Sequence, residues 1–302
     1  MASLIIPSTL FIAAVASATA NANGCTDDAT QTAPCQTTNQ LHFSLAMGAG
    51  FRSNPLYGGH NIPLWLMPDI AYYGQHWFFD NGTLGYSWSL SPSINLSMVS
   101  RFNDEQGYFQ RTSFSNVFSS QRIADDGLAG PIQTLSPDSG QTGIDIGSVS
   151  KRPWALDGGL QLDWQHENWQ ARLNWWHDLS NEYQGSHAKA SLAYHLSHRT
   201  GDWGLSTAIA WKSAKLLDRY YGLSLEDGGN PDTAIAGWQP EVGLHWTYAL
   251  DEKWSLLSLY RYRWLNINLR NELDPKAPTT QSPFLAESFV RSWFIGVSYR
   301  FY

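Results

Sequence analysis

The sequence predicts an all-β protein, a transmembrane up-and-down antiparallel β-barrel, on three observations. From about residue 41 onward, apolar and polar side chains alternate with a period of two, in segments of roughly ten residues, as in strands with one apolar face. Short and long connectors alternate between these segments, which gathers the tight turns at one end of a barrel and the long loops at the other. Tryptophans bracket the segments at even spacings, so both members of a pair lie on the apolar face.

The chain has 302 residues, 43% of them hydrophobic and 14% aromatic, with 15 Trp. Mean hydropathy is −0.32, so the apolar content is dispersed along the chain and not held in long blocks. A net charge of −7 and the lack of a basic run exclude nucleic acid as a partner. The first 24 residues carry no charged side chain. Residues 1–22 read as a signal peptide, an apolar core followed by Ala16, Ala18, Ala20 and Ala22, which offer A-x-A cleavage sites. No later stretch approaches the ~18 apolar residues of a spanning helix. Residues 23–40 are rich in Thr, Gln, Asn and Asp and read as a polar periplasmic leader. Within it Cys25 and Cys35 are a disulfide candidate. Lipid modification of Cys25 is disfavoured, because Ala22 stands where a Leu-like residue is needed.

The barrel is expected over 41–302. Its first segment puts Leu41, Phe43, Leu45, Met47, Ala49 and Phe51 on one face and His42, Ser44, Ala46, Gly48 and Gly50 on the other. "PLWLMPDIAYY" is the next strand, and "DNGT" (Asp80 to Thr83) is a hairpin turn. Taking 76–80 and 83–90 as separate strands makes twelve in all; losing one hairpin makes ten, the alternative. "SINLSMVSRF" follows, with Ile94, Leu96, Met98 and Phe102 on one face. "WALDGGLQLDW", "WQARLNWW", "AKASLAYHL", "WGLSTAIAW", "WQPEVGLHWTY" and "WSLLSLYRYRW" continue the pattern. The last strand is "SWFIGVSYRFY", where Trp293, Ile295, Val297, Tyr299 and Phe301 form an outward row and the signal read by the outer-membrane assembly machinery.

Tight turns fall near 90–93, 165–168, 197–202 and 250–253; long connectors fall at about 103–153, 180–186, 213–237 and 265–287. Trp154 and Trp164 bracket one strand, Trp203 and Trp211 a second, Trp238 and Trp246 a third, Trp254 and Trp264 a fourth, and Trp293 opens the last. Ten residues at ~3.3 Å, tilted by ~45°, cover about 23 Å along the axis, close to the ~25 Å apolar band of outer-membrane barrels. These rings therefore read as aromatic girdles in contact with outer-membrane lipid. Asp157, Asp163, Arg172, Lys189, Lys212, Glu241, Arg261 and Arg263 fall on the opposite face and are expected to line the lumen. A soluble barrel or sandwich has the same alternation turned inward, but does not account for aromatic pairs at both strand ends.

Several stretches together resemble one family. "MGAGFRSNPLYGGHNIPLWLMPDIAYYGQHWFF" looks like a Gly-rich strand, a loop with Pro and Gly, and a strand ending near paired aromatics; "TLGYSWSL", "YYGLS" at 220–224 and "GVSYRFY" follow in order. In these the chain resembles the MltA-interacting protein family, also called MipA/OmpV, with Tyr302 as a departure from the family's usual Phe ending. The resemblance implies an outer-membrane barrel of a Gram-negative envelope. It also implies a structural or scaffold role joining murein-hydrolysing and murein-synthesising enzymes, some members being described instead as porin-like or adhesive.

The sequence points to no enzyme, no cofactor and no metal. The nine histidines are scattered. His177 has the lipid-facing parity near the loop end, but no Ser and carboxylate pair with it visibly, and an interface histidine beside Trp175 and Trp176 is the reading. His187 and His195 share an inner face with Lys189 and read as structural. Asp125 and Asp126 lie in a solvated loop. A narrow channel for small solutes is the alternative function, since lumen charges of both signs can line a pore or zip it shut. The loop at 213–237 has enough apolar residues to fold inward as a plug.

Overall fold

The computed structural model describes residues 39–109, 143–145, 152–223, 232–274 and 276–301. The signal peptide, nearly all of the leader with Cys25 and Cys35, Asp125, Asp126 and Tyr302 lie outside the described residues. No described helix is long and apolar enough to cross a membrane.

Twelve antiparallel strands form a closed wall. They are β1 (Gln40–Arg52), β2 (Leu66–Tyr73), β3 (Trp77–Asp80), β4 (Thr83–Ser91), β5 (Ile94–Phe102) and β6 (Leu156–His166). The second half is β7 (Trp169–Asp178), β8 (Ser186–His198), β9 (Gly201–Lys212), β10 (Gly237–Ala249), β11 (Trp254–Trp264) and β12 (Phe289–Arg300). Each strand pairs with its neighbours in sequence, and β12 closes the barrel on β1 in continuous register from Ser44↔Arg300 to Arg52↔Ser292. Both sides of the final strand are thus hydrogen-bonded, so no edge is left at the closure.

The period-2 pattern is turned inside out relative to a soluble barrel. Leu205 is 61% exposed and Trp77 60%, whereas inward-facing Asp157 and Gln239 are 0%. Apolar side chains on the outside and polar ones inside are what lipid surroundings select.

One sector departs from the regular plan. Strand β3 has four residues, not the ten of a full span, and ends in the two-residue turn Asn81-Gly82. Both turn residues have positive φ, 46° and 90°, the backbone a tight hairpin between twisted strands requires. Asn81 then replaces part of the absent ladder. Its Oδ1 accepts from the Ile70 amide at 3.0 Å, and its Nδ2 donates to Asp69 and Asp80, each at 2.8 Å. Pro68 lies beyond the pairing of β2 with β3, at a position where a missing N–H costs no ladder bond.

The other connectors at this end are long. A helix, α1 (Ala214–Tyr221), follows β9 directly, with Ser213 as its N-cap. It buries Leu216, Leu217, Tyr220 and Tyr221 in one cluster with Leu56, Tyr108, Tyr183, Ile267 and Phe284. Of the segment at 213–237 expected to fold inward as a plug, Ala214–Tyr221 form this capping helix, and residues 224–231 lie outside the described residues. Its cluster takes side chains from the loops at 53–65, 103–155, 179–185, 213–236 and 265–288.

Candidate functional site

The strand registers place directly paired residues on the same face, so the interior can be read row by row. The eight charges expected in the lumen occupy strand positions opposite the exposed apolar rows. One row across β6–β11 runs Asp163, Arg172, Ser191, Ala208, Glu241, Arg263. Arg172 Nε donates to Asp163 Oδ1 at 2.6 Å. Glu241 gathers three cations. Arg263 reaches Oε2 through Nε at 2.8 Å and through Nη2, Lys189 approaches Oε1 at 3.4 Å, and Arg261 approaches it at 3.5 Å. Lys189 reaches Glu241 across β9, where the small Ala208 and Ala210 leave room.

Asp157 lies opposite Arg101 in register, but its carboxylate is held by other donors. It is fully buried and accepts from His187 Nε2 at 2.8 Å, Asn103 Nδ2 at 2.7 Å and the Tyr183 hydroxyl at 2.5 Å. Three donors offset the cost of removing this carboxylate from water. Lys212 turns instead toward the loop end and pairs with Glu105, which also accepts from the Tyr221 hydroxyl at 2.7 Å.

Glu105 was not legible as a site residue, because its partners are 107 and 116 positions away. Burial acts to raise its pKa, but the Lys212 ammonium and the hydrogen bonds from Lys212 and Tyr221 prevail and hold it below its ordinary value. Burial and the Glu105 charge push the Tyr221 hydroxyl well above its ordinary value, so it stays a donor. Three further arginines complete this end. Arg52 donates to the Tyr108 hydroxyl at 2.5 Å, Arg101 lies 4.8 Å over the Trp176 ring, and Arg152 donates to the Tyr220 carbonyl at 3.3 Å between Phe109 and Phe284.

Parts of the interior between these networks are tightly packed. Ala46, Met67, Leu257 and Phe294 form an inward-facing apolar cluster, each no more than 2% exposed. Asn174 and Trp176 on β7 and Gln239 on β10 are equally inaccessible. Trp176, expected beside His177 at the lipid interface, thus faces inward, the parity its neighbour Trp175 forces on it.

On the outside, the nine bracketing tryptophans form two bands. Trp164, Trp203, Trp246 and Trp254 lie toward the turn end; Trp154, Trp211, Trp238, Trp264 and Trp293 lie toward the loop end. Many touch another ring, Trp203 with Trp246 at 6.1 Å, Trp254 with Tyr299 at 4.7 Å and Trp293 with Phe51 at 5.7 Å. Ile295 and Val297 continue the outward row of β12, and Phe301 stacks on Phe43 at 4.8 Å. His177 has a partner that the sequence did not reveal. Its Nδ1 lies 2.9 Å from Ser186 Oγ on β8, and its ring stacks on Trp175. The described surroundings supply no carboxylate or amide to orient this pair as a nucleophile needs.

Solved structures similar to this chain include a porin, at 8% identity and TM-score 0.35 over 87% of this chain and 99% of that one. An outer membrane channel from Pseudomonas putida F1 has 9% identity and TM-score 0.36 over 88% and 97%. The Ralstonia pickettii toluene transporter TbuX has 8% identity and TM-score 0.34 over 87% and 90%. No curated protein matches the sequence. The sequence profile of MltA-interacting protein MipA matches residues 46–301, from the middle of β1 to the end of the barrel, and this outer-membrane barrel protein belongs to that family.

Proposed function

We propose that this protein is a closed, non-enzymatic platform in the outer membrane, holding murein-hydrolysing and murein-synthesising enzymes at its periplasmic side. The observation that carries the reading is the packed interior. Asn174, Trp176, Gln239, Met67, Leu257 and Phe294 are each at most 2% exposed, which narrows the path open to a solute. The family's description as MltA-interacting supports the murein partner. The tight turns offer little surface, so the leader at 23–40, with Cys25 and Cys35 joined, is the contact segment once the signal peptide at 1–22 is removed. The tryptophan bands serve as interface girdles against lipid, and the row Trp293, Ile295, Val297, Tyr299, Phe301 is the feature the assembly machinery recognises.

A narrow channel for small solutes is the rival. The mixed-sign lumen charges favour it, but they are spent on one another in the ion pairs above. Planar-bilayer recording on the refolded protein separates the two. A silent bilayer is expected, and sustained discrete openings overturn the platform. In a pull-down, the micellar barrel is expected to retain a purified MltA-type transglycosylase, and to lose it when residues 23–40 are deleted.

A further inference from the structure

The turn-end half of the lumen carries a pair of side chains that none of the networks above uses. His195 on β8, Gly204 on β9 and His245 on β10 lie in one register row, all facing inward. The two imidazole centroids are 5.6 Å apart, with the rings inclined at 56°. The glycine makes this approach possible. A Cβ at Gly204 would lie 1.8 Å from His245 Cε1, so the His245 ring lies across the bare backbone of β9 toward His195. Both rings are half-buried, and among the described residues neither makes a hydrogen bond through its ring nitrogens. The contrast with other histidines is plain. His187 is held by Asp157, His177 by Ser186 and His198 by Thr200.

We propose that His195 and His245 bind one divalent transition-metal ion of borderline softness, Zn(II) or Cu(II), at the turn-end mouth of the barrel. Two imidazoles on one tetrahedral ion, each nitrogen about 2.0–2.1 Å from it, hold their ring centres roughly 5–5.5 Å apart. The observed 5.6 Å separation lies close to that geometry. Imidazole is the side chain such ions take in preference to the hard cations, and neutral rings without another partner are free to donate. No group of three or more His, Cys, Asp or Glu among the described residues surrounds one point, so water completes the coordination. Asp202, one row nearer the turns and exposed, acts electrostatically on both rings and offsets the ion's charge. Arg261, diagonal to His245, directs its guanidinium away to Glu241.

The inference is independent of the platform reading. Its test is calorimetric titration of the untagged, refolded full chain in detergent micelles with ZnCl2, and Cu(II) electron paramagnetic resonance on the same sample. One saturable site and two-nitrogen hyperfine structure are expected. His195→Ala and His245→Ala should each weaken binding at least about tenfold, since even outer partners of a metal ligand are worth that much. Gly204→Ala, which keeps both ligands, should weaken it comparably by displacing the His245 ring. Far-UV circular dichroism and heat-modifiable gel mobility report folding, and His195→Asn with His245→Asn replace any alanine variant that fails to refold. Absence of a saturable site, or wild-type affinity in either histidine variant or in Gly204→Ala, overturns the proposal.

Discussion

The two ends of the barrel solve opposite problems with the same strands. At the loop end, five long connectors converge on one buried cluster, and beneath it Lys212 and Tyr221 hold the buried Glu105. At the turn end the connectors are two to four residues, and the inward positions carry Ser191, Ala193, Gly204, Ser206 and Gly243. The loop end has its own core, built like that of a small soluble domain, and the stability of that cap rests on burial and buried ion pairs. The turn end rests mainly on backbone pairing and outward side chains, with the inward Asp163–Arg172 pair beside them. Substitutions should therefore be costly at one end and mild at the other.

The largest expected effect is at the ion pair under the cap. Lys212→Met leaves the Glu105 carboxylate buried with one partner lost, a change that costs about 3–5 kcal/mol in comparable buried pairs. Thermal unfolding of the refolded barrel, with limited proteolysis of its loops, should show the cap loosened before the wall. Adding Glu105→Gln to the same chain should recover much of the loss. The pair also makes the cap sensitive to acid. The folded pKa of Glu105 lies below its ordinary value of 4.5, so its ionised form adds stability above that pH. This contribution is withdrawn as the pH falls through the folded value, and proteolysis of the loops should accelerate there, less so in the double variant.

The wall was legible in the sequence, and the cap was not, for a physical reason. Strand parity is a local property, so the outward rows, the eight inward charges and the closing strand follow from a two-residue period. Contacts such as Glu105 with Lys212 and Tyr221 join residues over a hundred positions apart, and depend on loop closure, which leaves no periodic trace. Helix α1 spans two turns, too short for a clear helical period, though its apolar content pointed to burial. The short β3 followed from the hairpin turn at Asp80 to Thr83, but not that the Asn81 side chain stands in for ladder bonds. His195 and His245 are fifty positions apart and meet only through the registers of two hairpins.

Next in size is the core of the cap itself. Leu217 is fully buried on α1, against Gly237 at the start of β10. Leu217→Ala should cost about 2–5 kcal/mol, the range for removing buried methyl groups where neighbours relax only partly. If the loss appears as faster loop proteolysis with an unchanged wall, the cap is a separate unit; a matching loss of barrel heat-modifiability would show that it also supports the wall. Asn81→Ala should cost less, about 1–3 kcal/mol, because it removes the acceptor for the Ile70 amide and the donor shared by Asp69 and Asp80. Hydrogen exchange at Ile70 is its local readout, and protection there should fall while β6–β11 are unaffected.

The smallest effect sharpens the comparison most. Ser206 faces inward at the turn end, half-buried between Ala193 and Gly243 in its row. Nothing packs over it from a loop among the described residues, so Ser206→Ala removes neither a buried contact nor an ion pair. Its effect should stay within about 0.5 kcal/mol, as for a surface position away from such features. A loss of several kcal/mol there, measured by the same thermal unfolding that ranks Lys212→Met and Leu217→Ala, would mean that the turn end is packed as tightly as the cap. The asymmetry would then vanish, and with it the reason to regard the turn-end mouth as the accessible face of a barrel sealed from the other side.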